Sequence, residues 1–267
     1  MPEGPEVQTV VDTLSKILNG QRVLDFIIPS HKNRVLKSDN FHQIINKKIV
    51  HIGRKGKFID LMFNDKSHLL IHLGMTGYFR TSEKANYIFS IITPHNQLFY
   101  FDPRKFGQVI YLLEKEYDTY EPLQKIGIDG MTSSPHEIEL ILKNKRNKKS
   151  KRVIKPYLMD ATEIAGIGNI YASEILFLSQ IHPERILSSL SDEEIFILSK
   201  NIPDILNNAY ANGGSTIKSF SNIDGISGSY QNKHYVYQQM ICKKCNGAIT
   251  KIVQSGRSTF YCAKEQK

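Results

Sequence analysis

The chain has 267 residues, of which 35 are Lys or Arg and 26 are Asp or Glu, so its formal net charge is +9 and its pI is about 9.3. A hydrophobic fraction of 40% and a charged fraction of 23% are ordinary for folded proteins and exclude wholesale disorder. The sequence shows neither an 18-residue apolar stretch nor a secretory signal pattern. We therefore expect a cytoplasmic protein whose partner is a polyanion, with nucleic acid favoured over an acidic membrane surface.

The positive charge is concentrated in two segments. Residues 143–155 hold eight basic residues and no acid, and residues 228–267 hold seven basic residues against one Glu. These segments carry +8 and +6, so the rest of the chain carries −5. Two basic segments on an otherwise acidic chain indicate a surface for phosphates, although residues 143–152 taken alone are equally consistent with a solvated face or a disordered loop.

The first predicted element is an amphipathic helix. Apolar residues recur at helical spacing over 7–18, with Pro5 suited to the first turn and Asn19-Gly20 suited to the end. From about residue 21 the pattern changes to short β-branched and aromatic runs separated by turn signals. Examples of these predicted strands are residues 23–28, 58–63, 69–73, 87–93, 98–101 and 109–113. Short, closely spaced strands favour an antiparallel sandwich or barrel with the first helix packed against it.

Helices are predicted from about residue 131 onward. The candidates are 134–143, 170–179, a helix capped by Ser191 with Glu194 three residues later, and a further helix over 202–211. A Gly- and Ser-rich stretch then leads to a small terminal module with three cysteines.

The cysteine module has the spacing of a zinc ribbon. Cys242-x-x-Cys245 forms one knuckle, and Cys262 begins a second whose last position is Glu265 rather than Cys. The segment is too short to fold on an apolar core, which favours a metal over three free thiols. We expect one structural Zn²⁺ bound by the three cysteines, with Glu265 as the candidate fourth ligand and His or water as alternatives.

The N-terminal segment carries chemistry of a different kind. If Met1 is removed, Pro2 presents a secondary amine, and an α-amino group titrates about three units below Lys, so part of it is neutral near pH 7. Glu3 and Glu6 lie beside it and are able to move protons or position the amine. In isolation, however, two acids at a helix start are explained by the helix dipole alone.

Six segments, in order from residue 2 to residue 262, resemble the formamidopyrimidine-DNA glycosylases and together span essentially the whole chain. They are PEGPEV at 2–7, IHLGMTG at 71–77, DPRKFG at 102–107, KPYLMD at 155–160, GIGNIYASE at 166–174 and RSTFYC at 257–262. The resemblance implies a multidomain α+β fold. Its expected parts are an N-terminal β-sandwich with a flanking helix (1–130), a helix–two-turn–helix domain (131–223), and a lesion-capping loop with a zinc hairpin (224–267).

The resemblance also implies a monomeric DNA-repair enzyme that excises oxidised purines and nicks the resulting abasic site. Pro2 is then the Schiff-base nucleophile, Glu3 the general acid for the sugar, and Glu6 an aid to proton transfer. Lys57 matches the family's catalytic lysine beside the phosphate of the lesion.

The remaining matched residues are implied to contact DNA. Met75, Arg104 and Phe106 match the residues that fill the space left by a flipped base. Asn169 and Arg257 match phosphate-contacting positions, and Lys155 lies in a matched motif and is expected near the site. His72 and Tyr171 are weaker candidates. Residues 219–232 match the loop that caps the flipped base.

Two further functional hypotheses stay open. Gly4, in PEGPE, is more typical of the related endonuclease VIII branch, which removes oxidised pyrimidines, whereas the Met75, Arg104 and Phe106 pattern fits the purine branch. A non-catalytic DNA-binding protein on the same scaffold is the third hypothesis. It does not explain why Pro2, Glu3, Glu6 and Lys57 occur together.

Overall fold

A computed structural model describes residues 1–30, 33–215 and 228–267. The chain divides into two compact units. The first comprises Met1–Gln124 and Gly213–Ser229, and the second comprises Lys125–Asn212 and Tyr230–Lys267. Within the described ranges, no helix has both the length and the apolar character needed to cross a membrane.

The first unit begins with helix α1, Gly4–Leu18. Pro5 lies in its first turn, and the Glu6 side chain accepts the backbone N–H of Glu3 at 2.8 Å, which satisfies a donor at the helix start. The apolar stripe expected from the sequence is buried, and α1 packs against strand β2, Ile49–Lys55. The predicted helix is therefore confirmed, with a start at Gly4.

Two four-stranded sheets form the rest of this unit, and all their strand pairings are antiparallel. One has the order β2-β3-β4-β8, with β3 Phe58–Phe63, β4 His68–His72 and β8 Gln108–Leu112. The other has the order β1-β6-β7-β5, with β1 Asp25–Ile27, β5 Tyr78–Arg80, β6 Phe89–Ile92 and β7 Gln97–Phe101. Their apolar faces and α1 share one core, so the predicted antiparallel sandwich is confirmed. Two short helices follow, α2 Glu114–Thr119 and α3 Glu121–Gln124.

The second unit is mainly helical. Its helices are α4 Pro135–Asn147, α5 Ile154–Leu158, α6 Asn169–Leu178 and α7 Asp192–Ala211. Two residue pairs, β9 Ile128–Asp129 and β10 Ile164–Ala165, form a short parallel ladder. Ser134 and Ser191 cap α4 and α7 through the N–H groups of Glu137 and Glu194.

The second unit ends in an antiparallel hairpin of β11, Thr250–Gln254, and β12, Arg257–Tyr261. One prediction about the elements was wrong. The helix capped by Ser191 and the one predicted over 202–211 are a single helix, α7, which continues through Pro203. Strands β2 and β5 and the short helices α2, α3 and α5 were not among the predicted elements.

Candidate active site and nucleic-acid interface

The N-terminal amine lies in a charged, largely buried setting. The pKa of this amine, which is carried here by Met1, is lowered from the usual 8.0 chiefly by burial. The charges of Glu3 and Glu6 oppose that shift, and those of Lys57 and Arg104 add to it. A lowered pKa increases the neutral fraction of the amine near pH 7, and only the neutral form is nucleophilic.

Glu6 links the start of α1 to a residue far along the chain. Its fully buried carboxylate accepts the N–H of Glu3 at 2.8 Å and the N–H of Ser215 at 2.7 Å. Gly214 approaches so closely that an added Cβ would lie 2.7 Å from Glu6 Oε1, and its φ of +77° independently favours glycine. Glu6 thus tethers residues 214–215 to the N-terminus. Most of the predicted capping loop, 219–227, lies outside the described residues.

Lys57 and His72 lie at neighbouring strand ends. Lys57 immediately precedes β3 in the turn after β2, and His72 ends β4. Burial, followed by the charge of Lys57, lowers the pKa of His72 to about 4, so the imidazole is neutral at physiological pH. Its Nδ1 accepts the N–H of Gly74 at 3.2 Å, which means that His72 supports the loop carrying Met75.

The predicted void-filling residues project from two loops. The side chains of Met75 and Phe106 are 39% and 48% exposed, so neither belongs to the core. The Arg104 guanidinium carbon lies 4.7 Å from the centre of the Phe106 ring, a cation–π arrangement. A pair of exposed apolar side chains beside a cation is suited to entering a base stack.

Thr76 and Asp102 tie these two loops together. Thr76 Oγ1 donates to Asp102 Oδ1 at 2.5 Å and accepts the N–H of Arg104 at 3.1 Å. The other carboxylate oxygen of the buried Asp102 accepts the N–H of Gly107 at 2.7 Å. Sequence reasoning assigned no role to either residue, although both lie inside the motifs that carry the family resemblance.

In the second unit, Asn169 joins two elements to the start of α6. Its Oδ1 accepts from Lys155 Nζ at 2.5 Å, and its Nδ2 donates to the carbonyl of Ser258 at 2.8 Å. Lys155 is 1% exposed, so this contact holds a buried cation in α5 against the first residue of α6. Asn169 thereby connects strand β12 of the terminal hairpin to the N-terminus of α6.

Lys155 also lines a cavity of about 300 Å³ that contains two more cations, Arg152 and Arg257. The other lining residues are Pro156, Met159, Asp160, Gln254 and Ser255. Asp160 pairs with Arg152 at 2.7 Å, which leaves the cavity with an excess of positive charge. Such a pocket, beside a helix N-terminus, is suited to an anion such as a backbone phosphate.

Tyr171 is placed differently from the other candidates. Its ring is fully buried and lies 5.9 Å, centre to centre, from the ring of Tyr230. A contact between Tyr171 and DNA therefore stays a prediction, and the observed packing points to a role in the interior of this unit.

The basic segment 143–155 divides into paired and unpaired cations. Four of its side chains form ion pairs with carboxylates: Lys143 with Glu139, Lys145 with Glu163, Arg146 with Asp192, and Arg152 with Asp160. Lys148, Lys149 and Lys151 are exposed and form no ion pair within the part of the chain that the structure describes. Half of the positive run thus stabilises the helical unit.

The three cysteines come together as the spacing predicted. Their sulfur atoms all lie within 4.8 Å of one another, with 3.4 Å between those of Cys245 and Cys262. Three thiolates at this separation fit Zn²⁺, which prefers sulfur ligands in structural sites. The carboxylate of Glu265 instead lies 2.6 Å from Lys244 Nζ and does not join the sulfur cluster, so its role as a ligand stays a prediction.

Glu174 is a structural residue that sequence reasoning missed. Its fully buried carboxylate accepts the N–H groups of Tyr235, Val236 and Tyr237 at 2.7, 3.1 and 2.8 Å. Burial raises the pKa of this carboxyl, and the three donors act against that shift. Glu174 therefore anchors the segment that leads into the cysteine module. The sequence feature that could have identified Glu174 was its position inside the GIGNIYASE segment at 166–174.

Two family models match the chain. The formamidopyrimidine-DNA glycosylase N-terminal domain matches residues 1–109, and the formamidopyrimidine-DNA glycosylase H2TH domain matches residues 129–221. The chain is 34% identical over 276 residues to formamidopyrimidine-DNA glycosylase of Lactiplantibacillus plantarum, covering 100% of each. It is 36% identical over 282 residues to that of Rickettsia massiliae, covering 98% of this chain and 96% of the relative.

Solved structures give the same result. The Lactococcus lactis Fpg complex with abasic-site DNA has a TM-score of 0.89 and 32% identity, covering 99% of each chain. The Thermus thermophilus MutM (Fpg) protein has a TM-score of 0.89 and 28% identity, covering 99% of this chain and 98% of that one.

The β-sandwich, the helical unit and the cysteine hairpin define the class of bifunctional DNA glycosylases and abasic-site lyases. Within this class, the chain belongs to the formamidopyrimidine-DNA glycosylase family.

Proposed function

We propose that this protein excises oxidised purines from duplex DNA through a Schiff base of its N-terminal proline and then cleaves the abasic site by β,δ-elimination. The observation that carries the proposal is the setting of the chain terminus: the carboxylates of Glu3 and Glu6 are buried beside Pro2, and the Met1 amine one residue ahead has a pKa lowered by burial, with Lys57 adding to that shift. A binding protein has no need of a nucleophile. The identity to family members over the full length supports the same substrate class.

The chemistry follows from these side chains. The neutral Pro2 nitrogen attacks the sugar C1′ carbon, so the N–C1′ bond forms and the bond from C1′ to the damaged base breaks. The base leaves with the electron pair of that bond and takes up the proton lost from the Pro2 nitrogen. Glu3 donates a proton to the ring oxygen of the sugar, which opens the ring and leaves an iminium ion. Loss of a C2′ proton then expels the 3′ phosphate, and a second elimination expels the 5′ phosphate. Lys57 supplies positive charge to the phosphate, and Glu6 holds the N-terminal turn in place.

Each unit contributes its own contacts to the proposed DNA complex. In the first, Met75, Arg104 and Phe106 fill the stack after base flipping. In the second, Arg257, Lys155 and Asn169 hold phosphates.

We also propose that the protein acts as a monomer on chromosomal DNA in the cytoplasm. The proposed domain boundaries remain 1–130, 131–223 and 224–267.

The tie between the two void-filling loops leads to a prediction. Thr76→Val keeps the shape of the side chain but removes the hydroxyl that joins Asp102 to the N–H of Arg104. We expect about a tenfold loss of affinity for abasic-site duplex, because an unsatisfied buried polar group costs about 1–3 kcal/mol. Binding to undamaged duplex is expected to change little.

Fluorescence anisotropy measures both affinities, and 2-aminopurine opposite the lesion reports insertion of the loops. Thr119→Val, in the exposed helix α2, removes a comparable hydroxyl that bonds only within its own helix. Equal losses for the two variants on both duplexes would contradict a positioning role for Thr76.

A comparison of lesions tests the proposed substrate class. Borohydride is expected to trap the processed protein on duplex with 8-oxoguanine opposite cytosine at least about tenfold faster than on a thymine-glycol duplex, a difference of about 1.4 kcal/mol in activation free energy. Preference for thymine glycol would favour the endonuclease VIII-like hypothesis. No adduct on either duplex, with Met1 removed and DNA binding intact, would favour the non-catalytic hypothesis.

A further inference from the structure

The cysteine module retains two knuckles but only three thiols. In the first knuckle, the backbone N–H of Asn246 donates to the carbonyl oxygen of Cys242 at 2.9 Å. In the second, the N–H of Gln266 donates to the carbonyl oxygen of Cys262 at 3.0 Å in the same way. Residue 265 therefore occupies the backbone position from which a fourth sulfur would complete the tetrahedron.

The Glu265 side chain does not take that place. A cysteine sulfur is bonded directly to Cβ, whereas a glutamate carboxylate lies two bonds further out. From this knuckle the longer side chain reaches Lys244, where its carboxylate lies 2.6 Å from Nζ and is 17% exposed as a side chain. Among the described residues, no carboxylate or imidazole atom joins the three sulfurs as a member of the cluster.

We propose that this protein binds Zn²⁺ through Cys242, Cys245 and Cys262 alone and leaves the fourth coordination position to an exogenous ligand, water or a small imidazole or thiol. Glu265 stays paired with Lys244 and does not coordinate the metal. The environment of the site supports this arrangement, because Cys245 is only partly buried, so solvent has access to the module from that side. The inference concerns the metal site and does not depend on the proposed excision chemistry.

Substitution of Co²⁺ for Zn²⁺ in the full-length chain tests the ligand set by absorption. The sulfur-to-cobalt charge-transfer intensity scales with the number of bound thiolates, so Glu265→Cys is expected to show about four-thirds of the wild-type intensity. Its Zn²⁺ affinity is expected to rise at least about tenfold, within the range by which changes around metal sites alter affinity. Glu265→Ala and Glu265→Gln are expected to match the wild type in cobalt spectrum and to lie within about threefold of it in Zn²⁺ affinity.

Added imidazole is expected to shift the cobalt d–d bands of the wild type but not those of Glu265→Cys. Glu193→Cys adds a thiol on the exposed start of α7 and controls for non-specific thiol binding. A tenfold or greater loss of affinity in both Glu265→Ala and Glu265→Gln would overturn the proposal, since it would identify Glu265 as a ligand. Failure of the wild-type thiolates to bind either metal would overturn it as well. These readouts are independent of base excision, which the trapping assay measures separately.

Discussion

Replacing Pro2 by glycine, or retaining Met1, is expected to abolish the borohydride-trapped adduct with 8-oxoguanine duplex. A secondary amine forms an iminium ion that carries its positive charge without needing a further proton, whereas the imine from a primary amine must first be protonated. Retained Met1 also displaces the amine by one residue, about 3.8 Å along the chain, and reaction geometry is sensitive to about 1 Å. We expect a decrease of at least about 10³-fold, which lies in the upper part of the range of about 10²–10⁴-fold for a lost acid or base.

The adduct is measured by gel shift after reduction, and intact-protein mass spectrometry establishes whether Met1 is present in each preparation. Pro135→Gly makes the same substitution in the exposed first turn of α4 and is expected to trap at the wild-type rate. Trapping of the Pro2→Gly variant at a comparable rate would contradict the assignment of the nucleophile. It would direct attention to a lysine amine, with Lys57 the first to test.

Glu3→Gln is expected to lower single-turnover excision by about 10²–10⁴-fold, the usual contribution of a positioned general acid. Glu3 is 3% exposed, and its backbone N–H is held by the Glu6 carboxylate, so a glutamine of the same length retains the local geometry. The glutamine amide has no acidic proton to donate to the ring oxygen of the sugar, and ring opening requires that proton. A duplex whose abasic site already carries an open-chain aldehyde bypasses that step.

A comparison of base excision with strand cleavage at a preformed abasic site therefore distinguishes proton donation by Glu3 from general support of the site. We expect Glu3→Gln to lose base excision while strand cleavage at a preformed abasic site stays within about tenfold of the wild type, a difference of about 1.4 kcal/mol. Glu193→Gln, an exposed position in the first turn of α7, controls for the loss of one negative charge. Parallel losses in both assays would show that Glu3 supports the site as a whole rather than protonating the sugar.

The local elements of this protein could be read from its sequence. The stripe over 7–18 specified α1, the short apolar runs specified most strands of the sandwich, and the cysteine spacing specified the sulfur cluster. These features depend on neighbours within a few residues, where helical and strand periodicity apply directly. The order of the six motifs along the chain also indicated the family.

The tertiary structure decided what those residues do to one another. Ser215 lies 209 positions after Glu6 and yet donates to its carboxylate. Asn169 contacts the carbonyl of Ser258, which lies 89 positions away. Contacts over such separations depend on how the chain folds back on itself, and no local period encodes them.

The same limit applied to the charged and exposed residues. A sequence of cations at 143–155 does not reveal which ones face carboxylates, because Asp160, Glu163 and Asp192 come from later segments. The spacing of the second knuckle predicted Glu265 near the metal, but Lys244, on the other knuckle, determined where its carboxylate lies. The sequence alone therefore specified most of the elements and the family. Pairing and exposure depended on the folded chain, since each is set by partners from distant parts of the sequence.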